Sequence, residues 1–173
     1  MNPTIYRPTS LLTSFLKVFE KALYISVTEH LNIDNLLVGN YLGFRKGTAT
    51  EDAIFKLKNQ ILKALNNKTL AGTIFCDLER AFDSVNHDIL LSKLSYCGIS
   101  GYAKSLLQSY LQSRYQTVLI TNSRFNSKWT KIKCGVPQGS ILGPLLFLLY
   151  INDLPKAVKH KAFLSYLPTI PVS

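Results

Sequence analysis

Three things are scarce in this 173-residue sequence: cysteine, acidic residues and uninterrupted apolar stretches. Cysteine occurs only at Cys76, Cys97 and Cys134, an odd number at wide spacing. With no CxxC pair, neither a zinc site nor a disulfide framework has support, and a reducing compartment fits. The longest apolar run, Ile141 to Ile151, is broken by Gly143 and Pro144. It falls far short of the roughly 20 residues that span a bilayer. Met1 to Arg7 carry no apolar signal core. The expected location is therefore intracellular, in nucleus or cytoplasm, not secreted and without a membrane partner. Acids number 10 against 20 Lys and Arg, a net charge of +10. A folded domain this basic meets a polyanion or is simply kept soluble by its charge, and charge alone leaves both open.

What is present suits a folded core. The sequence is 47% hydrophobic and 17% charged, which excludes a disordered tail or low-complexity linker. Its length fits one domain or a piece of a larger one. Ser10 is placed to cap a helix from Leu11 to about Leu31, with Leu11, Leu12, Phe15, Leu16, Phe19, Ala22 and Leu23 as its buried face. Thr50, Glu51 and Asp52 suit a second helix start, with an apolar stripe Ala53, Ile54, Leu57, Ile61, Leu62, Leu65 and an end at Asn66-Asn67. Leu70 to Asp77 reads as a buried strand. Asn86 is placed to cap a third helix running through Leu94 and ending near Gly98, and Ala103 to Leu111 reads as a fourth. Tyr115 to Thr121 and Ser127 to Lys133 alternate like a hairpin around Asn122 to Asn126. Pro144 suits a helix start, followed by Leu145 to Leu154. Helices with a few strands make α+β the expected class and α/β the second choice.

Three segments carry residue types suited to chemistry. In FCDLERAFD, Phe75 to Asp83, Asp77 falls where an apolar strand stops. A carboxylate at a sheet rim suits Mg²⁺ and phosphate chemistry. From spacing alone Asp77, Asp83 and Asp88 read first as strand-end and helix-cap acids, because one carboxylate does not make a metal site. In GVPQGSILGP, Gly135 to Pro144, glycines let a backbone approach a ligand closely. There Gln138 is suited to a base or sugar, and the Gly139 and Ser140 amides to a phosphate. An ordinary strand-to-helix turn uses the same residues. No Lys follows the last Gly, so it is not a P-loop. In GFRKG, Gly43 to Gly47, Arg45 and Lys46 could form a mobile basic loop, but on their own they read first as a solvated turn.

The order YRP, GFRKG, FCDLERAFDSVNHD and GVPQGSILGPLLFLLYINDLP, from Tyr6 to Pro155, resembles the reverse transcriptase domain of non-LTR (LINE-type) retrotransposons. Each piece alone is weak, and their order and spacing together are specific. The resemblance implies the fingers and part of the palm of a right-hand polymerase. It implies that Asp77 is the first catalytic aspartate and a ligand of Mg²⁺. Phe82 is similar to the bulky residue that rejects a ribose 2′-hydroxyl. Gln138 and Gly139 match the loop that positions template and incoming nucleotide. Arg7 and Arg45 resemble fingers residues near template and triphosphate. Asp83 matches the motif without being a metal ligand. The partners implied are an RNA template, a DNA primer and dNTP, with attack of the primer 3′-hydroxyl on the α-phosphate.

The sequence departs from that family at Leu42, usually aromatic, and at Thr9, commonly Ile. The larger departure is that Asp153 is the last acid of the sequence. The family has a second acidic motif, Ala-Asp-Asp preceded by Tyr or Phe, soon after the INDLP helix. Leu164 to Val172 reads LSYLPTIPV. One permitted coding of it, read two bases later, spells Phe-Leu-Phe-Ala-Asp-Asp-Thr-Ser. A frameshift between about Pro155 and Leu164 is therefore expected. Residues 1–160 would form a partial reverse transcriptase domain, and 161–173 an out-of-frame tail. The expected function is an inactive reverse transcriptase fragment, in which Mg²⁺ is not bound productively. The alternative is a non-catalytic basic nucleic-acid-binding module.

Overall fold

The computed structural model describes residues 10–37, 50–73, 78, 80–119 and 126–157. The chain divides into two units. One comprises Met1–Leu36 with Arg80–Ile151, and the other Leu37–Glu79 with Asn152–Ser173.

The first unit contains α1 (Ser14–Ile33) and, after the second unit's α2 (Thr50–Asn66), α3 (His87–Tyr96), α4 (Gly101–Gln112), β1 (Tyr115–Gln116), β2 (Thr130–Lys131) and α5 (Gly143–Ile151). Helix α3 packs on both α4 and α5. Leu90, Leu91 and Leu94 of α3 are buried, as are Leu107 and Leu111 of α4. In α5 the buried residues are Gly143, Leu145 to Leu149 and Ile151. A helix apolar all round belongs inside a core, and α5 is that central element. Helices with one small antiparallel sheet agree with the α+β expectation.

Local chemistry explains the helix ends. Asn86 caps α3 as expected, its Oδ1 accepting from Asp88 N at 2.9 Å and Ile89 N at 3.1 Å. Gly98, at φ +81°, closes α3, with Ile99 N donating to Leu94 O at 3.0 Å. Asn35 and Lys68 adopt the same left-handed conformation after α1 and α2. Each is followed by the same bond, Leu36 N to Leu31 O and Thr69 N to Ala64 O.

Several expectations are corrected. Thr13, not Ser10, caps α1, its Oγ1 accepting from Leu16 N at 3.3 Å. Ser10 N instead donates to Gln138 O at 2.9 Å, which holds the chain extended before the helix. The expected α1 stripe is displaced. Leu11, Phe15 and Phe19 are exposed, whereas Glu20, Val27 and Leu31 are buried. The inward line runs through Glu20, Val27 and Leu31 with Leu16 and Leu23 of the expected stripe half-buried, and the acid within it disguises its period. The hairpin is shorter than expected, with Tyr115 opposite Lys131, Gln116 opposite Thr130 and an isolated bridge from Leu119 to Asn126. Residues 120–125, most of its turn, lie outside the described residues. Helix α5 ends at Ile151, three residues before the expected Leu154.

The second unit contains α2 and the short α6 (Leu154–Ala157). Helix α2 starts with Glu51 and Asp52 in its first turn and ends at Asn66, as expected. Its stripe is not buried: Ala53 is, but Ile54, Ile61, Leu62 and Leu65 are exposed. The described residues of this unit hold no second long helix or sheet to cover that face. Residues 70–73 form no strand and Leu70 is fully exposed, while 74–77, the rest of the expected strand, lie outside the described residues.

The displaced α1 stripe and the α3 core yield a paired test. Leu94→Ala, at a fully buried position, is expected to lower unfolding free energy by about 2–5 kcal/mol. Leu11→Ala, at an exposed one, should change it by less than about 0.5 kcal/mol. Urea unfolding of both variants checks the assignment.

Candidate functional site

The loop Gly135 to Leu142 leads into α5, and each of its ends is tied to a different part of the first unit. Gly135 stands at φ +91°, a backbone conformation suited to glycine. A Cβ there would lie 3.0 Å from the Cα and carbonyl oxygen of Asp83. That closeness lets Gly135 N donate to Val85 O at 2.7 Å and Val136 N to Phe82 O at 2.8 Å. The buried His87 adds a third tie, its Nε2 donating to Gly135 O at 2.8 Å. The segments FDSVNH and GVPQGS, far apart in sequence, are thus joined by backbone. The Phe82 ring is half-buried and meets Phe147 of α5 at 5.1 Å between centroids.

At the other end, Ser140 Oγ donates to Pro137 O at 2.9 Å and accepts from Gly143 N at 2.8 Å. A Cβ on Gly143 would stand 2.5 Å from that oxygen, so glycine is required where the loop enters α5. Glu20 of α1 then reaches the loop. Its carboxylate is fully buried. Oε2 accepts from Ile141 N at 2.8 Å, and Oε1 accepts from the Tyr110 hydroxyl of α4 at 2.6 Å. Burial and the Glu20 carboxylate push the Tyr110 hydroxyl above the ordinary tyrosine value of 10.0, against smaller opposing effects of Ser140 and Arg114. The Arg114 guanidinium lies 5.5 Å from the Tyr110 ring centroid.

Between these anchors lie Gln138, half-buried, and Gly139, exposed at φ +95°. A loop pinned at both ends with an exposed glycine at its crest is suited to close backbone approach by a ligand. Of the expected site residues, Phe82, Gln138 and Gly139 belong to this one arrangement. Asp77, Arg7 and Arg45 lie outside the described residues. Among the described residues no three His, Cys, Asp or Glu come together as a metal site, and the geometry assigns no ligand to Mg²⁺. Among them, too, no helix is long and apolar enough to cross a membrane.

Sequence reasoning missed Glu20, Tyr110 and His87. Glu20 had a signal: an acid in register with Leu16, Leu23, Val27 and Leu31 on an apolar face must find partners there.

A family model described as reverse transcriptase (RNA-dependent DNA polymerase) matches residues 2–168. The chain is 36% identical over 154 residues to the probable RNA-directed DNA polymerase from transposon BS of Drosophila melanogaster, covering 89% of this chain and 17% of that protein. It is 36% identical over 157 residues to the probable RNA-directed DNA polymerase from transposon X-element of the same organism, with 89% and 17% covered. It is 34% identical over 150 residues to the RNA-directed DNA polymerase from mobile element jockey of Drosophila funebris, with 87% and 16% covered. The chain therefore spans about a sixth of the length of these relatives.

The Glu20–Tyr110 pair supplies a prediction with a pH sign. Glu20→Gln turns one acceptor into a donor facing a donor and is expected to cost about 1–3 kcal/mol in urea unfolding. Because the Tyr110 value is raised in the fold, its stabilisation is complete below pH 10.0 and is lost as pH rises above it. Tyr110→Phe should be less stable than the parent at neutral pH, and the gap should shrink above pH 10.0. A gap constant to high pH would contradict this.

Proposed function

The chain belongs to the reverse transcriptase (RNA-dependent DNA polymerase) family, as carried by LINE-type retrotransposons, and we propose that it is a fragment of such an enzyme comprising fingers and the first half of the palm. In the parent activity, DNA is made on an RNA template from a DNA primer and dNTP. Here Asp77 is the palm carboxylate suited to Mg²⁺, and Phe82 stands where a ribose 2′-hydroxyl is rejected. Gln138 and Gly139 position template and incoming nucleotide, and Arg7 and Arg45 take the roles of the family's fingers residues for template and triphosphate. The observation that carries this reading is the backbone junction of Gly135 and Val136 with Phe82 and Val85. It joins the loop that carries Gln138 and Gly139 to the segment Phe82 to Val85 of the same unit. The chemistry that Mg²⁺ supplies in the family is charge stabilisation at the transferring phosphate.

These 173 residues alone are inactive in this reading. Asp153 is their last acid, so within these residues Asp77 has no second acidic motif with which to share metal ions. Residues 161–173 are read as an out-of-frame tail, which the nucleotide sequence beneath Leu164 to Val172 tests directly. A second reading, a non-catalytic nucleic-acid-binding module, is favoured by the +10 charge, which persists without an active site.

The purified chain is expected not to extend a primed RNA template with dNTP and Mg²⁺ above background. Template-dependent extension abolished by Asp77→Ala would overturn the inactive reading and establish the carboxylate's role together.

A further inference from the structure

No Asp or Glu occurs between Asp88 and Asp153. The β1–β2 hairpin lies within this one-signed stretch, with Lys131 on β2 and Lys128 and Lys133 flanking it. Its register pairs Tyr115 with Lys131 and Gln116 with Thr130. Beyond that ladder the pairing slips by one residue, with Ser127 N donating to Val118 O at 3.0 Å, so Trp129 lies beside β2 at the slip. Residues directly opposite share a face, and alternate residues return to it. One face therefore carries Tyr115 and Lys131, with Lys133 two residues on, and Trp129 stands two residues before Lys131 at the slip. Trp129 is 71% exposed and Tyr115 60%, and both lysines are exposed.

The hairpin is held despite its short ladder. Thr117 Oγ1 donates to Ser127 O at 2.6 Å, Val118 N donates to Ser127 Oγ at 2.8 Å, and Ile132 N donates to Arg114 O at 2.9 Å. The bridge from Leu119 to Asn126 leaves residues 127–129 opposite 117–118. That is a bulge, a feature that fixes which side chains face which way.

Large rings left in water among cations, with no acid nearby in the chain, suit an anionic partner that offers flat apolar surfaces. A protein interface would pair charges of both signs around an apolar centre. Bases locked in a duplex cannot reach such rings, whereas unpaired bases can. We propose that this hairpin face is a platform for single-stranded nucleic acid, with bases stacked on Trp129 and Tyr115 and phosphates held by Lys131 and Lys133. The proposal deepens the family reading by naming a binding surface apart from the Gly135 to Leu142 loop.

Trp129 is the chain's single tryptophan, so its fluorescence reports this face alone. The full chain is titrated with an unlabelled oligouridine while tryptophan emission is read, and with an end-labelled one while anisotropy is read. A saturating quench that follows the anisotropy curve is expected. Trp129→Ala should weaken binding about fivefold or more, and Trp129→Phe, which keeps a ring, should weaken it less. The double variant Lys131→Gln/Lys133→Gln, at exposed positions, should lower the salt slope of log affinity by about 1.4, two contacts at about 0.7 each. Binding by anisotropy with unchanged tryptophan emission would overturn the platform while leaving the family reading intact. An unchanged salt slope in the lysine variant would also overturn it. So would a tryptophan emission that shifts with protein concentration alone, which would assign the face to a second copy. No binding at low salt would remove both the platform and the binding-module reading.

Discussion

The carboxylate of Glu20 joins three segments that are far apart in the chain: α1, α4 through Tyr110, and the loop through the amide of Ile141. A buried carboxylate is tolerated only when its oxygens are satisfied, and here each oxygen has a donor. The dependence is mutual. Without the carboxylate, the Tyr110 hydroxyl and the Ile141 amide would each lose an acceptor inside the protein, where an unmet donor costs more than a made bond returns. The interaction is therefore more a constraint on arrangement than a source of net stability. It permits one placement of α1 against the loop and penalises the others.

The far end of the loop depends on space rather than charge. Gly135 approaches the backbone of Phe82 and Asp83 as closely as atoms allow, and Gly143 leaves room for the Ser140 hydroxyl. Both ends thus rely on the absence of a side chain, while Glu20 and His87 supply directed bonds. The consequence is a crest at Gln138 and Gly139 whose backbone is tied down on both sides. Preorganisation of this kind lowers the ordering cost of binding. It is also why the Gly, Pro and Ser of this loop are not interchangeable with those of a surface turn.

How much of this was legible in the sequence follows from which forces are local. The cap at Asn86, the end of α3 at Gly98 and the start of α2 at Glu51 and Asp52 depend on neighbouring residues, and they were read correctly. The α1 face was misread because periodicity counts Leu11, Phe15 and Phe19 as core and discounts Glu20. Only the tertiary partners Tyr110 and Ile141 make an acid the centre of a buried line. The Ser10 cap failed for a similar reason, since its backbone is engaged by Gln138, more than a hundred residues away. The junction of Phe82 with Val136 was invisible to spacing, although both motifs were picked out. The role expected of Asp77 came from resemblance to a family, and the described residues do not reach it.

The charges of the chain are segregated along its length, and that bears on what a fragment can retain. Nine of its 10 acids lie at or before Asp88, and only Asp153 follows. Phosphoryl transfer in this family depends on carboxylates gathered around metal ions, an arrangement that fails when one motif is missing. Affinity for a polyanion depends instead on the number of cations that displace its counterions, a sum that survives the loss of any single group. The two properties therefore differ in how many groups each requires at once. The Glu20 network and the hairpin register rest on contacts within the first unit, and neither requires the acidic motif. The fold of the first unit is thus set by contacts separate from any cluster of carboxylates.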